Sequence, residues 1–250
     1  MFDLMISNPP YQSGLYRKIL SKLEFKQLTI ICPWDLVTAT REGKELKNKL
    51  NGHATIYKRI TGMIFRDINP VQLFMGNFNL LKKGKELNPI NENDRLESSV
   101  FKKIQSYKYQ LKDYVYWKYI PQKVQCKTTI ELERAYEKLK EFINSSYNHQ
   151  ILVSMAAVRR RNKILTKPDE IRLMSGFGIK NKEGLDLITK SVNSEDWKTL
   201  LRVVTLIVGD GLSLYQRDVN YMPLFEKWGD LGLTKEEINW IYETKKTGRN

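Results

Sequence analysis

The chain opens with a short apolar run that ends at two consecutive prolines. Residues 2–7 have the length and composition of a buried β-strand, and Asn8-Pro9-Pro10-Tyr11 follows directly. Proline has no backbone N–H and a fixed φ, so two in a row cannot continue a strand. The chain is therefore predicted to begin with a strand that stops in a rigid turn.

Strands and helices alternate over the next seventy residues. Leu15, Ile19, Leu20 and Leu23 recur at helical spacing, which predicts a helix over residues 13–25. Further segments follow in order: a strand at 28–32 closed by Pro33, a short helix at 41–50, and strands at 55–60 and 71–78. This order is typical of an α/β domain that closes in a hairpin-like pair of strands.

A segment rich in Gly, Pro and Asn, residues 82–93, is the best linker candidate. Beyond it, periodic apolar residues predict helices over 96–111 and 197–208. Two further helices are expected to begin at the capping boxes Thr128-x-x-Glu131 and Thr234-x-x-Glu237, and a strand is expected at 150–158. The sequence thus predicts an α/β domain over residues 1–85 and a basic, mainly helical α+β region over residues 86–250.

Composition narrows the class of protein. A hydrophobic fraction of 41% excludes a disordered chain, and two cysteines exclude a disulfide scaffold or a four-cysteine zinc site. There is no apolar run of about 18 residues and no signal-peptide pattern, so we expect a cytoplasmic protein without a membrane contact. The 42 Lys and Arg against 28 Asp and Glu, a net charge of +14, indicate a polyanionic partner such as nucleic acid.

The surplus charge lies mainly in the middle of the chain. Residues 101–165 hold 14 Lys and Arg against 5 Asp and Glu, and aromatic residues alternate with the cations around Lys118. The segment ends in Arg159, Arg160 and Arg161. Cations bind phosphates and aromatic rings stack on bases, so these four residues are predicted DNA contacts. The alternative is a solvated helix face over a core rich in tyrosine.

Asn8-Pro9-Pro10-Tyr11 is the most specific local pattern. The two prolines leave a rigid turn that offers carbonyl oxygens, and the Asn8 side chain adds another acceptor. Such a site suits an exocyclic amine, which donates two hydrogens from one nitrogen, and Tyr11 offers a flat face to a base. The structural alternative is a proline-rich turn that only ends a strand.

Residues 2–12 resemble the catalytic motif of the DNA methyltransferases that act on adenine N6. The resemblance is nearest to type II restriction-modification enzymes and implies a Rossmann-like sheet, S-adenosylmethionine as cofactor and DNA as substrate. It also implies that Asn8 and Pro9 hold the amine, that Pro10 keeps the turn rigid and that Tyr11 stacks on a base flipped out of the duplex.

The resemblance continues beyond the motif. Gly62-Met63-Ile64-Phe65 is similar to the segment whose Phe covers the other face of the flipped base, so Phe65 is implied in that role. The strand closed by Pro33 and the aromatic Trp34 also follows the order of the family, which makes Trp34 a candidate substrate contact. Residues 1–85 would then be a partial methyltransferase domain and 86–250 the target-recognition region.

The family's cofactor half is not recognisable. Only seven residues precede Asn8, and the downstream glycine pairs, Gly176-Phe177-Gly178 and Gly209-Asp210-Gly211, are weak candidates for a cofactor loop. The first strand would then have a bare apolar edge, which natural sheets avoid. Either a second subunit supplies the missing half, or the C-terminal region covers the edge, or the protein is a repurposed methyltransferase.

Three functions are compatible with these patterns. The first is an adenine-N6 DNA methyltransferase that works with a separate cofactor-binding subunit. The second is an inactive DNA- or protein-binding module that keeps the ancestral motif. The third is a basic α/β domain with a chance Asn-Pro-Pro-Tyr, in which Tyr11 and Phe65 pack against each other and no pocket adjoins Asn8.

Overall fold

The structure, a computed structural model, describes most but not all of the chain. The described residues are 1–8, 15–33, 44–60, 73–92, 94–117, 129–145, 151–154, 162–165, 175–208, 214 and 216–247. They form a mixed α/β protein with two four-stranded sheets and several helices. None of the described helices combines the length and the apolar character that crossing a membrane requires.

The elements are numbered here in chain order. The strands are β1 Phe2–Ser7, β2 Phe25–Pro33, β3 Ala54–Ile60, β4 Leu73–Asn79, β5 Val115–Trp117, β6 Ile151–Ser154, β7 Asn162–Leu165 and β8 Ser175–Ile179. The helices are α1 Leu15–Lys22, α2 Lys44–Leu50, α3 Arg95–Ser106, α4 Leu111–Tyr114, α5 Thr129–Asn144, α6 Lys182–Asn193, α7 Glu195–Ile207, α8 Gln216–Val219 and α9 Lys235–Thr247, with a 3₁₀ turn at Trp228–Leu231.

The chain divides into two compact units, which are described separately. The first unit comprises Met1–Asp94 and Thr247–Asn250, and the second comprises Arg95–Lys246. The division follows the Gly- and Asn-containing segment that the sequence indicated as a linker. The functional roles predicted for residues 1–85 and 86–250 stay predictions.

The first unit is a sheet with the strand order β1-β2-β4-β3. β1 and β2 run parallel, joined through α1, whereas β4 is antiparallel to both β2 and β3. A parallel pair needs a crossover connection, and α1 supplies it. The predicted hairpin-like close of the α/β pattern is the β3–β4 pair.

The two helices described in the first unit pack on the same face of this sheet. Tyr16 and Leu20 of α1, and Leu46 and Leu50 of α2, are spaced four residues apart and are all buried. Such spacing places each pair on one side of its helix. They join one core with the buried residues of the strands: Phe25, Leu28, Ile30, Cys32, Ala54, Phe74 and Phe78.

The prediction that residues 2–7 form a buried strand was right about the strand and wrong about its burial. β1 is an outer strand, and Phe2, Leu4 and Ile6 are 54%, 55% and 76% exposed. Only Met5, on the other side of β1, packs against the core. An apolar run shows that a strand can be buried, but the position of the strand in the sheet decides whether it is.

The second unit contains the other sheet, with the order β5-β8-β6-β7 and antiparallel pairing throughout. Helices predominate around it, as the α+β prediction required. The predicted helix over residues 96–111 is two helices, because α3 ends at Ser106 and Leu111 begins α4. The buried side chain of Gln110 donates to the carbonyls of Ile104 (2.8 Å) and Tyr107 (2.7 Å), which stabilises the break.

The predicted buried helix at residues 197–208 is confirmed as α7. Ser194 caps it by accepting from the N–H of Trp197, and the buried Trp197 indole donates to the Pro223 carbonyl at 2.8 Å. The Thr234-x-x-Glu237 capping box is also confirmed. The Glu237 N–H donates to Thr234 Oγ1 at 3.2 Å, and the Thr234 N–H donates to Glu237 Oε2 at 2.7 Å.

Candidate functional site

Asn8 lies at the edge of the first sheet where strands β1 and β2 end. It follows β1 directly and is exposed, and the parallel register pairs Ser7 with Ile30 near the end of β2. Open α/β sheets bind ligands at the carboxyl ends of their parallel strands. Asn8 therefore occupies the position at which a side-chain amide is accessible to a ligand.

The remaining residues of the motif lie outside the described part of the chain. Pro9, Pro10 and Tyr11 have no described placement, and neither do the predicted base contacts Trp34 and Phe65. Their roles stay predictions that rest on the sequence and on the resemblance.

Arg17 is a cation near this edge that the sequence analysis did not single out. It lies in the first turn of α1 and is partly exposed, and its Nε donates to the Tyr16 hydroxyl at 3.3 Å. Burial raises the pKa of the Cys32 thiol, and the positive charge of Arg17 opposes that increase. Arg17 therefore acts electrostatically near the end of β2, where a phosphate close to Asn8 would interact with it. A charged residue in the first helical turn after the motif was the available signal.

Cys32 itself is not a candidate nucleophile. Its side chain is completely buried in the core of the first unit, and its raised pKa keeps the thiol protonated at neutral pH. A thiol reacts through its thiolate, so this one is inert. Among the described residues, no group of three or more His, Cys, Asp or Glu side chains is placed to hold a metal ion.

The predicted DNA contacts of the basic segment also fall largely outside the described residues. Lys118, Arg159, Arg160 and Arg161 have no described placement. Four of the described aromatic residues of that segment form two groups. Tyr116 and Trp117 of β5 pack inside the second unit, and Tyr107 and Tyr109 flank an exposed lysine.

The packed group supports the core rather than a nucleic-acid surface. The Tyr116 ring meets the buried Phe142 edge-on at 5.6 Å, and its hydroxyl lies 3.0 Å from Ser145 Oγ. The Trp117 ring lies 5.0 Å from that of the buried Phe177. For these two side chains, the alternative of a core rich in aromatic residues describes the structure better than a stacking platform does.

Tyr107, Lys108 and Tyr109 form the other group, called here the Tyr-Lys-Tyr patch. The two rings are edge-to-face with centroids 6.0 Å apart, and Lys108 Nζ lies 4.5 Å from the Tyr109 centroid. Lys108 is exposed, and its hydrogen bond with Tyr109 raises its pKa above the ordinary value. The Tyr-Lys-Tyr patch therefore places an exposed cation against aromatic rings on the second unit.

One glycine pair that was considered for a cofactor loop does not fit that role. Gly176 and Gly178 lie inside strand β8 and are buried. A Cβ at Gly178 would lie 2.2 Å from the Tyr116 ring, so the glycine is there to make room for that ring. The other pair, Gly209 and Gly211, lies outside the described residues.

A cavity of about 210 Å³ lies in the first unit at strand β3, which is at the opposite edge of the sheet from β1. It is formed by β3 and by residues of the segment 85–92. Two strands, β4 and β2, separate β3 from β1, the strand that Asn8 follows, so the cavity does not belong to the predicted amine site.

No protein-family model and no curated protein matches this chain.

Proposed function

We propose that this chain is an adenine-N6 DNA methyltransferase-like protein that acts on a flipped adenine together with a separate cofactor-binding subunit. The observation that carries the proposal is the placement of Asn8. It is exposed, it follows β1 directly, and it stands at the carboxyl end of a parallel β1–β2 pair joined by α1. A parallel strand pair joined by a helix is one element of the Rossmann-like sheet that this proposal requires, and such sheets bind their ligands at the strand ends where Asn8 lies.

The site residues have distinct roles in this proposal. The Asn8 amide oxygen and the Pro9 carbonyl oxygen each accept a hydrogen bond from the adenine amine, while Pro10 fixes the conformation of the turn. Tyr11 and Phe65 stack on the two faces of the flipped base, with Trp34 nearby. Holding the amine in one orientation lowers the entropic cost of the transfer, which is the main contribution that positioning makes to such a reaction.

DNA is held by cations in both units. Arg17 is near the Asn8 edge, and the second unit contributes Lys118, Arg159, Arg160 and Arg161 together with the Tyr-Lys-Tyr patch. A duplex must be held by its phosphates while one base is turned out, and each phosphate contact makes binding more sensitive to salt.

The cofactor is S-adenosylmethionine, which supplies the methyl group when bound. Gly176 and Gly178 do not form a cofactor loop, since they lie in a strand whose free space is filled by Tyr116. In this proposal a second subunit binds the cofactor. The exposed apolar side chains of Phe2, Leu4 and Ile6 on an outer strand favour such an association, because an uncovered apolar strand is a template for pairing with another chain.

The experiment measures methyl transfer to DNA by the chain alone and mixed with the adjacent gene product. Isothermal titration with S-adenosylmethionine is run on the same two samples. We expect heat and turnover only in the mixture, and Asn8→Ala to lower the transfer rate about a hundredfold because the amine loses its orientation. The control is Asn48→Ala, an exposed amide on α2. An unchanged rate in Asn8→Ala would exclude the proposed site.

The second candidate is a binding module without turnover, favoured by the exposure of Phe2, Leu4 and Ile6 independently of any chemistry. It predicts DNA binding that weakens as the salt concentration rises and that is equally strong in Asn8→Ala and in the parent protein. It also predicts no affinity for S-adenosylmethionine, either for the chain alone or for the mixture. DNA binding that does not depend on salt would count against the nucleic-acid version and would favour a protein partner.

A further inference from the structure

The cavity at β3 has a lining of mixed chemical character. It combines cations, one carboxylate, hydroxyl and amide groups, and two isoleucines. The lining residues are Thr55, Ile56, Tyr57, Arg59, Lys85, Ile90, Asn91 and Glu92. Its volume of about 210 Å³ is below the roughly 300–1,000 Å³ of pockets for drug-sized ligands, so its occupant is a molecule of about amino-acid size.

The floor of the cavity is fixed by the core. Tyr57 and Arg59 are two residues apart on β3, so both lie on the face of the sheet that carries the core. The Tyr57 ring lies 6.1 Å from the ring of Phe74. Burial raises the pKa of Tyr57, and the nearby Glu92 carboxylate adds to this against a backbone hydrogen bond at Asn88. The phenol is thus a neutral hydroxyl with a carboxylate close by.

The cations of the cavity lie at two depths. Arg59 is buried, with 8% of its surface exposed, whereas Lys85 is exposed at the rim. A guanidinium has five N–H donors in a planar fork, so it can bind a carboxylate in the cavity while it also serves a protein partner. An anionic group bound here would contact one buried cation, Arg59, and one exposed cation, Lys85.

The opposite charge of Glu92 limits what can bind. A simple anion would be repelled by the Glu92 carboxylate, and a simple cation by Arg59 and Lys85. A ligand that carries both charges can pair with the cations and with the carboxylate of the lining. Ile90 offers apolar surface to the remainder of such a ligand, whereas Ile56 lies on the opposite face of β3 from Tyr57 and Arg59.

We propose that this cavity binds a small zwitterionic α-amino acid. Its carboxylate pairs with Arg59 and Lys85, its ammonium pairs with Glu92, and its aliphatic side chain packs against Ile90. The site lies across the sheet from Asn8 and is independent of the proposed methyl transfer.

Binding is tested by isothermal titration of the full chain with L-leucine at pH 7. Two analogues isolate the charges: isocaproate has the carboxylate but no ammonium, and isoamylamine has the ammonium but no carboxylate. We expect leucine to bind and each analogue to bind at least about tenfold more weakly, since each loses one charge-assisted contact. Absence of leucine binding, or equal affinity for isocaproate, would overturn the proposal.

Variants then assign the contacts. Glu92→Gln should weaken leucine about tenfold while leaving isocaproate unaffected or slightly improved, and Lys85→Met should weaken leucine and isocaproate alike. Both positions are exposed, so these variants test the site even where the buried Arg59→Lys fails to fold. The control is Lys58→Met, an exposed lysine on the opposite face of β3. Equal leucine affinity in Glu92→Gln and the parent protein would also refute the assignment.

Discussion

The outer strand of the first unit and the buried carboxylates of the second unit place apolar and charged side chains in contrasting ways. In the first unit, an outer strand leaves Phe2, Leu4 and Ile6 more than half exposed. In the second unit, even charged side chains are inside, with Glu237 and Asp218 only 3% and 0% exposed. Burying a carboxylate is costly unless it is hydrogen-bonded, so the second unit provides partners from within. The apolar surface of β1 is the part of the described structure best suited to an external partner.

Glu237 illustrates how the second unit satisfies a buried charge. Its carboxylate accepts from Lys103 Nζ at 2.7 Å, from Ser99 Oγ at 2.6 Å and from the Thr234 N–H at 2.7 Å. Burial by itself would raise the pKa of Glu237, but these three hydrogen bonds outweigh it and hold the pKa at about 2. The first turn of α9 is thereby tied to α3.

The largest effect is expected from Glu237→Ala. Removing the carboxylate leaves two donors and the Lys103 ammonium without their acceptor, and the Lys103 side chain is 33% exposed, so the free energy of unfolding should fall by about 2–3 kcal/mol. Urea unfolding followed by tryptophan fluorescence measures this. The matched control is Glu236→Ala, since Glu236 is exposed and its ion pair with Arg95 is worth less than about 1 kcal/mol. Similar losses in the two variants would contradict the role given to burial.

The pH dependence of stability tests the same network. Because the pKa of Glu237 is lowered on folding, its contribution is complete above the ordinary value of 4.5 and is lost as the pH falls towards about 2. The shift corresponds to about 3 kcal/mol at neutral pH. Unfolding free energies at pH 7, 4.5 and 3 should therefore fall more steeply in the parent protein than in Glu237→Gln. Parallel curves would show that another group is responsible.

A smaller effect is expected at the β3 side of the first unit, where residues 84–85 cover the edge. The Gly84 N–H donates to Gly52 O and the Lys85 N–H to Ala54 O, both at 2.8 Å. A Cβ at Gly84 would lie 2.5 Å from the Ala54 carbonyl oxygen, so Gly84→Ala should cost about 2 kcal/mol and increase hydrogen exchange at Ala54.

The control for that substitution lies in the second unit. A Cβ at Gly229 meets nothing within 4 Å among the described atoms, so Gly229→Ala should change the unfolding free energy by less than about 0.5 kcal/mol. If both alanine variants were neutral, the segment at residues 84–85 would not be fixing the β3 edge.

The smallest effect on stability is expected at β1. Ile6 is 76% exposed, so Ile6→Lys should change the unfolding free energy by less than about 0.5 kcal/mol. The same variant should markedly weaken association with the proposed second subunit, because a lysine on an outer strand opposes pairing. Sedimentation of the mixed proteins measures the association, and Lys18→Ala, an exposed change on α1, is the control. Unchanged association would mean that β1 is not the contact surface.

Sequence patterns were sufficient to predict the ends of strands and helices where neighbouring residues determine them. The proline pair predicted the end of β1, the helical spacing of Leu15, Ile19, Leu20 and Leu23 predicted α1, and the Thr234-Glu237 box predicted the start of α9. Each depends on residues within one or two turns of chain, so no tertiary information is required.

Sequence patterns failed to predict local structure where contacts between distant segments of the chain determine it. Strand β8 contains Gly176 and Gly178, which suggest a loop, yet it is a central strand because Tyr116 of β5 occupies the space beside Gly178. The helix expected over residues 96–111 is interrupted because Leu111 and Tyr109 hydrogen-bond to Met222 and Leu224 instead. The cavity at β3 and the proximity of Arg17 to Cys32 likewise join residues that no spacing connects.

The sequence by itself determined the chemistry available to this protein: an amide beside two prolines and a tyrosine, a basic middle segment, and strands and helices in α/β order. Only the tertiary structure decided that β1 is an outer strand with exposed apolar side chains, that Tyr116 and Trp117 serve the core, and that Arg59 and Glu92 line one cavity. Residue types fix charge and hydrogen-bonding capacity, whereas exposure and proximity depend on which strands and helices pack together.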